Sequence, residues 1–528
     1  MIFDIIIAGG DIADGSNKPV FKSDIGIKGD RIISIGDLAD IEAREKIDAA
    51  GLTVAPGFID IHTHSDFTLL INGAAESQVH QGVTSEVIGN CGSSCAPLAE
   101  SASAESSVPG YMSGLEINWK TFGEYLARLE KQELGLNVMT LVGHGSIRRA
   151  VLNDELRPAT EDEVNEMVQI LESSLEEGAK GLSSGLEYWP GSVSNFEEIL
   201  PLCEVTKRHN ALYATHVRNR DLSYDVGFSE ALAMARISGV KLQISHIQPK
   251  FGAPPYAMEH TLEMIHWARE NGADVSFDII PHDWNHTRLT ASLPPWAFEG
   301  GLEKLRDRLK KPDTREKMKL NPKPIWQLVP ARKWDKIVLL RSKKNKHLIG
   351  MTFEQIGKEW GKDPYDAYFD LLLEEGGDLN SLMWTSHAFL ESDIQLCLLQ
   401  PECIVASDTM ALAPYGTLKG TIGSLSGYGW IARLFQHYVR EQSIISLEDA
   451  VHRVTGLPAD RLDLKDRGYL RPGGIADITI FDPKTIMYQC TFKDPCCYPS
   501  GIAYVLVNGK FAIKENKRTN INAGRVIR

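Results

Sequence analysis

The sequence predicts an α/β protein: a (β/α)8 TIM-like barrel with a small β-sandwich domain built from both chain termini. Three observations carry this. Eight short apolar runs each end in a polar cluster, and helical stretches separate several of them. Strand-like segments bounded by Gly/Asp turns fill both ends of the chain.

From the N-terminus, "FDIIIAGGDIADG", "SDIGIKGDRIISIGD" and "EKIDAAGLTVAPG" read as strands, separated by turn signals at Gly9–Gly10, Gly29–Asp30 and Ala50–Gly51. Near the C-terminus "GGIADITIFDP" and "AYVLVNGKFAIKE" resemble them, so residues 1–56 and 466–528 are expected to form one β-domain. The expected barrel occupies 57–465. Its strands are "GFIDIHTHSD", "TSEVIGNCG", "VMTLVGHGS", "AKGLSSGLEY", "LYATHVRN", "KLQISHIQ", "DVSFDIIPHD" and "CIVASDTM". Stretches such as "TEDEVNEMVQILESSLEEG" and "TLEMIHWARENG" supply helices. A segment inserted around 288–350 separates the last two strands, and its "LEKLRDRLKKPDTREKMKLNPKPIW" reads as charged helix, either a lid or a solvated excursion.

At 528 residues with 43% apolar and 24% charged residues, the composition is that of a soluble globular protein. A net charge of −14, with no basic run, argues against nucleic acid or an anionic membrane as partner. "MIFDIIIAGG" is broken by Asp4 and lacks a basic leader, so a cytoplasmic location is expected. Eight cysteines in a chain this long suggest thiols, not a disulfide framework, and the vicinal pair Cys496–Cys497 has no reading from sequence. A homo-oligomer is compatible with all of this.

In a barrel of this type, catalytic residues come from the C-terminal ends of the strands. Collected there are His62 and His64 on the first strand, Cys91 on the second, His216 on the fifth, His246 on the sixth and Asp408 on the eighth. Alone, each has an ordinary reading: a satisfied polar histidine, a small buried cysteine, an aspartate in a turn. Together they are four imidazoles, a thiolate and a carboxylate, the ligand set zinc favours, brought to one rim by the barrel. His62 and His64, two apart on a strand, should share one face.

"PGFIDIHTHSD", "GNCGSSCAP", "GLSSGLEYWP", "ATHVRN", "QISH" and "ASD" occur in the order seen in the amidohydrolase superfamily, and the chain resembles its D-aminoacylase (N-acyl-D-amino-acid deacylase) branch over nearly its whole length. The resemblance implies zinc as cofactor. Cys91, His216 and His246 match a tightly held site, and His62, His64 and Asp408 a second, looser one. The fourth-strand region "GLSSGLEY" has no lysine at its end, where many amidohydrolases carry a bridging carboxylated lysine; Cys91 meets that need in this branch. The implied reaction is hydrolysis of a linear N-acyl bond in a small-molecule amide by metal-activated water. Asp408 is placed to take a proton from that water and pass it to the departing nitrogen. Cyclic-amide opening, deamination and a non-catalytic scaffold are the competing readings.

Residues expected to contact substrate are Tyr188, His144, Gln248, Lys250, His282, His286 and Arg288. Asp66 and His144 also suit supporting roles behind the ligands. The family pattern is broken at three places. Its lysine two after the sixth-strand histidine is Gln248 here, with Lys250 two further on. Its seventh-strand tyrosine and serine become His282 and His286, and its arginine after the eighth-strand aspartate becomes Ala413. In the family those groups hold the substrate's α-carboxylate. Their loss points to another N-acyl amine, anilide or carbamate in a pocket lined by His282, Trp284, His286 and Trp296, or to an anchor relocated to Arg218, Lys250 or Arg288.

Overall fold

The computed structural model describes residues 2–99, 115–153, 155–320, 327–376, 382–419, 424–491 and 494–528. Five strands open the chain: β1 (Phe3–Ile12), β2 (Phe21–Lys28), β3 (Arg31–Gly36), β4 (Ala43–Asp48) and β5 (Thr53–Pro56). Alternate isoleucines, Ile5 and Ile7 on β1 and Ile25 and Ile27 on β2, bury against one another, as a period of two requires.

The barrel follows with β6 (Phe58–Asp60), β7 (Val83–Ile88), β8 (Asn137–Thr140), β9 (Val142–Gly143), β10 (Gly181–Gly185), β11 (Leu212–His216), β12 (Lys241–Ile244) and β13 (Val275–Ile279). Connecting helices carry local start signals. Thr160 and Glu163 form a capping box at the head of the helix Glu161–Glu176, satisfying backbone N–H groups at its first turn.

After β13 the chain leaves the barrel to form a small antiparallel sheet from β14 (Trp284–Arg288), β15 (Val338–Arg341) and β16 (Met383–His387), ordered β14-β16-β15. It has its own core, including Leu305, Leu339, Phe353, Tyr368 and Trp384. Two of its helices, Gly301–Leu309 and Pro312–Leu320, fall in the stretch read as charged helix; residues 321–326 of that stretch lie outside the described residues. The flanking strands were not legible, because "WNHTR" shows no apolar alternation.

The eighth barrel strand is β17 (Cys403–Val405). Strands β6-β7-β8 and β17-β13-β12-β11-β10-β9 pair in parallel, and β8 and β9 are one strand interrupted at Leu141. A parallel bridge between Thr63 and Thr409 joins the extensions of β6 and β17 and completes the ring. Ile59, Met139, Leu141, Leu212, Ala214 and Ile404 form one buried cluster within the barrel.

The chain ends with β18 (Ile478–Phe481), β19 (Ile502–Val507), β20 (Lys510–Lys514) and β21 (Lys517–Arg518). Strand β18 lies antiparallel to β5, so both chain ends share one nine-stranded sheet. Among the described residues no helix is long and apolar enough to cross a membrane. All eight cysteines are free thiols.

Candidate metal centre

The six expected donors meet at the barrel mouth. Their atoms fall into three overlapping groups, His62/His64/Cys91, Cys91/His216/His246 and His62/His246/Asp408, each within 4.8 Å. The Cys91 thiol lies 3.3 Å from His62 Nε2, 3.6 Å from His216 Nδ1 and 3.5 Å from His246 Nε2. His216 Nδ1 and His246 Nε2 are 3.0 Å apart, and Asp408 Oδ1 lies 3.1 Å from His64 Nε2 and 3.5 Å from His62 Nε2. Ligand atoms about 2.0–2.3 Å from a tetrahedral zinc ion would lie about 3.3–3.7 Å from one another. The spacing around Cys91 therefore fits such an ion.

Local backbone conformation aims these groups. Cys91, His246 and Asp408 all have positive φ (51°, 33° and 48°), a region that costs a non-glycine residue about 1 kcal/mol or more. The strands do not simply run on; they break into left-handed turns at the donors. A Cβ on Gly185 would come within 2.1 Å of the Cys91 carbonyl, so only glycine lets the Cys91 turn lie on β10. Regular pairing of β6 stops at Asp60, so His62 and His64 converge through an irregular extension and not through strand alternation. Main-chain bonds from Asp408 N to His62 O (3.1 Å) and His64 N to Thr409 O (2.7 Å) pin that extension.

Buried carboxylates fix which ring nitrogen faces inward. His216 Nε2 donates to Glu187 (2.7 Å) and His62 Nδ1 to Asp278 (3.2 Å), leaving His216 Nδ1 and His62 Nε2 toward Cys91. Burial would raise the Cys91 thiol, but the charge of His62 and hydrogen bonds from His216, His246 and His62 outweigh it and pull the thiol well below its ordinary value. Burial, reinforced by Arg220 and His216, lowers His246 to about 4 and keeps it a neutral donor. Burial opposes the ionised Asp408, yet His246, His64 and His62 hold its carboxyl well below the usual carboxylate range. A thiolate, a carboxylate and the neutral His246 facing one another, with His62, His64 and His216 around them, form a donor set suited to a cation.

The other expected residues divide. Tyr188 sets its ring against His216, centroids 4.5 Å apart, and is half-buried at the mouth. His286, on β14, is buried where the charge of Asp408 acts on its ring, so the inserted sheet reaches the site. His144 is fully buried and turned to Glu198 (2.8 Å), which also pairs with Arg148. Both ends of the Gln248 amide are taken by Ile280 N and O. Lys250 is ion-paired to Glu187; His282, whose pKa burial lowers, has its Nδ1 3.2 Å from Asp283 and its Nε2 3.2 Å from Tyr488 Oη. Arg288 lies at the far end of β14, opposite Met383. Asp66 accepts from Gly89 N, holding the turn before Cys91. Sequence reading passed over Glu187, Asp278 and Arg220. A charged residue inside an otherwise apolar strand, as in "VSFDI", was the available signal for Asp278.

A parallel eight-stranded barrel with a thiol-and-imidazole centre at its mouth defines the class of metal-dependent amidohydrolase-fold hydrolases. Residues 45–277 match the model of the amidohydrolase family. The chain is 33% identical to a D-aminoacylase of Alcaligenes xylosoxydans xylosoxydans, covering 99% of this chain and 97% of that one. It is 31% identical to an N-acyl-D-glutamate deacylase of the same organism, covering 99% and 96%. Among solved structures, an N-acyl-D-glutamate deacylase from Bordetella bronchiseptica, complexed with zinc and a phosphonate mimic of the tetrahedral intermediate, superimposes with TM-score 0.82 at 29% identity over 100% of both chains. A D-aminoacylase structure addressing a binuclear metal centre gives 0.81 at 31% identity over 99% of each. The chain belongs to the amidohydrolase family, in its D-aminoacylase branch.

Proposed function

We propose that the protein hydrolyses a linear N-acyl C–N bond with zinc as cofactor, the barrel of 57–465 acting on a base formed by residues 1–56 and 466–528. The observation carrying this is the convergence of Cys91, His216, His246 and Asp408 at the mouth. Cys91, His216 and His246 would hold the first ion, with His62, His64 and Asp408 offering a second, looser place. Bound there, zinc supplies Lewis-acid activation of water and of the acyl oxygen. Asp408, ionised and beside His64, accepts the proton of the attacking water and returns it to the nitrogen, which leaves poorly as an anion. Tyr188, edge-on to His216, closes one side of the space for the acyl group. Asp278 and Glu187 hold the imidazoles in register through the cycle.

The amine-side pocket departs from the family pattern. Gln248 is spent on the main chain and His282 turns its Nε2 to Tyr488 Oη, so the groups filling the family's lysine and tyrosine positions do not offer a carboxylate their counterparts' contacts. The test is amine release by zinc-supplemented enzyme from N-acetyl-D-methionine, its L enantiomer, the matching carboxamide, an anilide, a carbamate and a cyclic amide. Turnover of one or more linear substrates is expected. Turnover of the cyclic amide alone would move the protein to the cyclic amidases, and none at all with zinc bound would favour a scaffold.

A further inference from the structure

The inserted sheet leaves the barrel through Pro281–Asp283 into β14 and returns from β16 through His387–Phe389. Both passages meet at Asp283. Its Oδ2 lies 2.9 Å from His387 Nδ1, and its main-chain O accepts from Phe389 N (3.2 Å), so one residue holds the returning strand twice. Arg433, on the short helix Trp430–Arg433 that follows β17, places Nη2 3.5 Å from Asp283 Oδ1 and donates from Nε to Pro281 O (2.8 Å). His282 Nδ1 also lies 3.2 Å from that carboxylate oxygen. The neck of the insert is therefore closed across by an imidazole and fastened to the barrel by a guanidinium, with one carboxylate between them.

Stability alone gives this arrangement little purpose. The His387 side chain is 58% exposed, and ion pairs facing solvent contribute about 0–1 kcal/mol. What the contact does is orient. His387 pairs across the sheet with Trp284, ring centroids 3.4 Å apart. Trp284 and His286 are two apart on β14 and share one face. His286 in turn is buried where the charge of Asp408 acts on its ring. A short path thus runs from Asp283 through His387, Trp284 and β14 to the carboxylate assigned to proton transfer.

Resting on the hydrolase reading above, we propose that Asp283 is a positioning residue of the reaction: it fixes the ring of His387 against Trp284 and so sets where β14 holds His286 beside Asp408. Asp283 touches no reacting atom. It acts through His286, and a small rotation at the neck is carried along β14 into the site.

The experiment compares zinc-loaded wild type with Asp283→Ala, Asp283→Asn, His387→Ala, His286→Ala and the Asp283→Ala/His286→Ala double variant on a linear N-acyl amide. Zinc content is measured in each, and hydrogen–deuterium exchange is followed in β14 and in the insert's helix Pro364–Glu375. In Asp283→Ala, kcat should fall about 10–100-fold with zinc retained, because a displacement of about 1 Å is felt at the reacting centre. Asp283→Asn, which keeps an oxygen for His387, should recover part of that loss. Amides of β14 should exchange faster in Asp283→Ala while the helix keeps its protection. In the His286→Ala background the same replacement should cost less than about 3-fold, since the two residues act in series. His387→Ala, at an exposed position, should lower kcat about 3–10-fold and carries the test if Asp283→Ala does not fold. Unchanged kcat in the Asp283 and His387 variants, an equal loss with and without His286, or loss of zinc together with activity would overturn the proposal and leave the hydrolase reading intact. Wild-type enzyme that holds zinc and cleaves no linear amide would overturn the reading beneath it, and the role with it.

Discussion

The two sides of the barrel mouth are built on opposite electrostatic plans. Behind His216 and His144 stand buried ion pairs, Glu187–Lys250 and Glu198–Arg148. Around His62 and His64 lie Asp60, Asp66, Glu86, Asp278 and Asp408, and among the described residues none of these pairs with a lysine or arginine. They are satisfied by amides, hydroxyls and imidazoles instead: Asp60 by Gln78 and Ser407 N, Glu86 by Ser65, Asp278 by Gln243. One side brings its own lysine and arginine, and the other is satisfied by neutral donors and imidazoles. The difference teaches where rigidity and where reactivity are placed. The ion-paired side fixes His216 beside the Cys91 thiol, while on the acid side the side-chain partners of Asp408 are the imidazoles of His62 and His64.

Cys91 belongs to both plans, and removing it is the most severe way to break the comparison. Cys91→Ala should lose bound zinc and lower kcat/KM by about 10³-fold or more, read by metal analysis and amine release. Next is Asp408→Asn, expected to keep most of its zinc while kcat falls about 10²–10⁴-fold. If zinc and activity fell together there, Asp408 would belong to the tight site and the contrast would fail. Glu187→Gln tests the ion-paired side: metal affinity should weaken about 10–100-fold, measured by competition with a chromogenic chelator.

The smallest effects sharpen the comparison through pH. Burial works against the ionised Glu198, but its bond to His144 and the charge of Arg148 lower its pKa from 4.5 to about 2. Its contribution is therefore present above 4.5 and lost as pH falls toward 2. Glu86 is the reverse. Burial, aided by Asp60, raises its pKa well above 4.5, so its contribution is present below 4.5 and lost as pH rises through the raised value. Denaturant unfolding across pH should show Glu198→Gln flattening the acid limb, at a cost of about 3–5 kcal/mol for unpairing Arg148. Glu86→Gln should flatten the neutral limb instead. Matching slopes in the two variants would erase the distinction between the sides.

Much of this was legible in the chain. The eight apolar runs ending in polar clusters located every barrel strand, because a buried parallel strand must be apolar along its length and can be polar only where it emerges. The donor residues stood out for the same reason. The inserted sheet was missed because "WNHTR" has no apolar alternation, "VLLR" is only a four-residue run, and the strands pair with each other and not with the barrel. Glu187, Asp278 and Arg220 were passed over because a charged residue beside a motif looks the same whether it faces solvent or a buried imidazole.

Sequence by itself pointed to the barrel, to the shared sheet of the two chain ends and to the six residues that meet at the barrel mouth, since these follow from periodicity and from residue chemistry. Only the tertiary structure decided how the donors are aimed. The positive φ at Cys91, His246 and Asp408, and the ring nitrogens selected by Glu187 and Asp278, depend on contacts between residues far apart in the chain. The same holds for the cations. Arg218 pairs with Glu230 and Lys250 with Glu187, whereas Arg220 donates to the main-chain oxygens of His246 and Gln248.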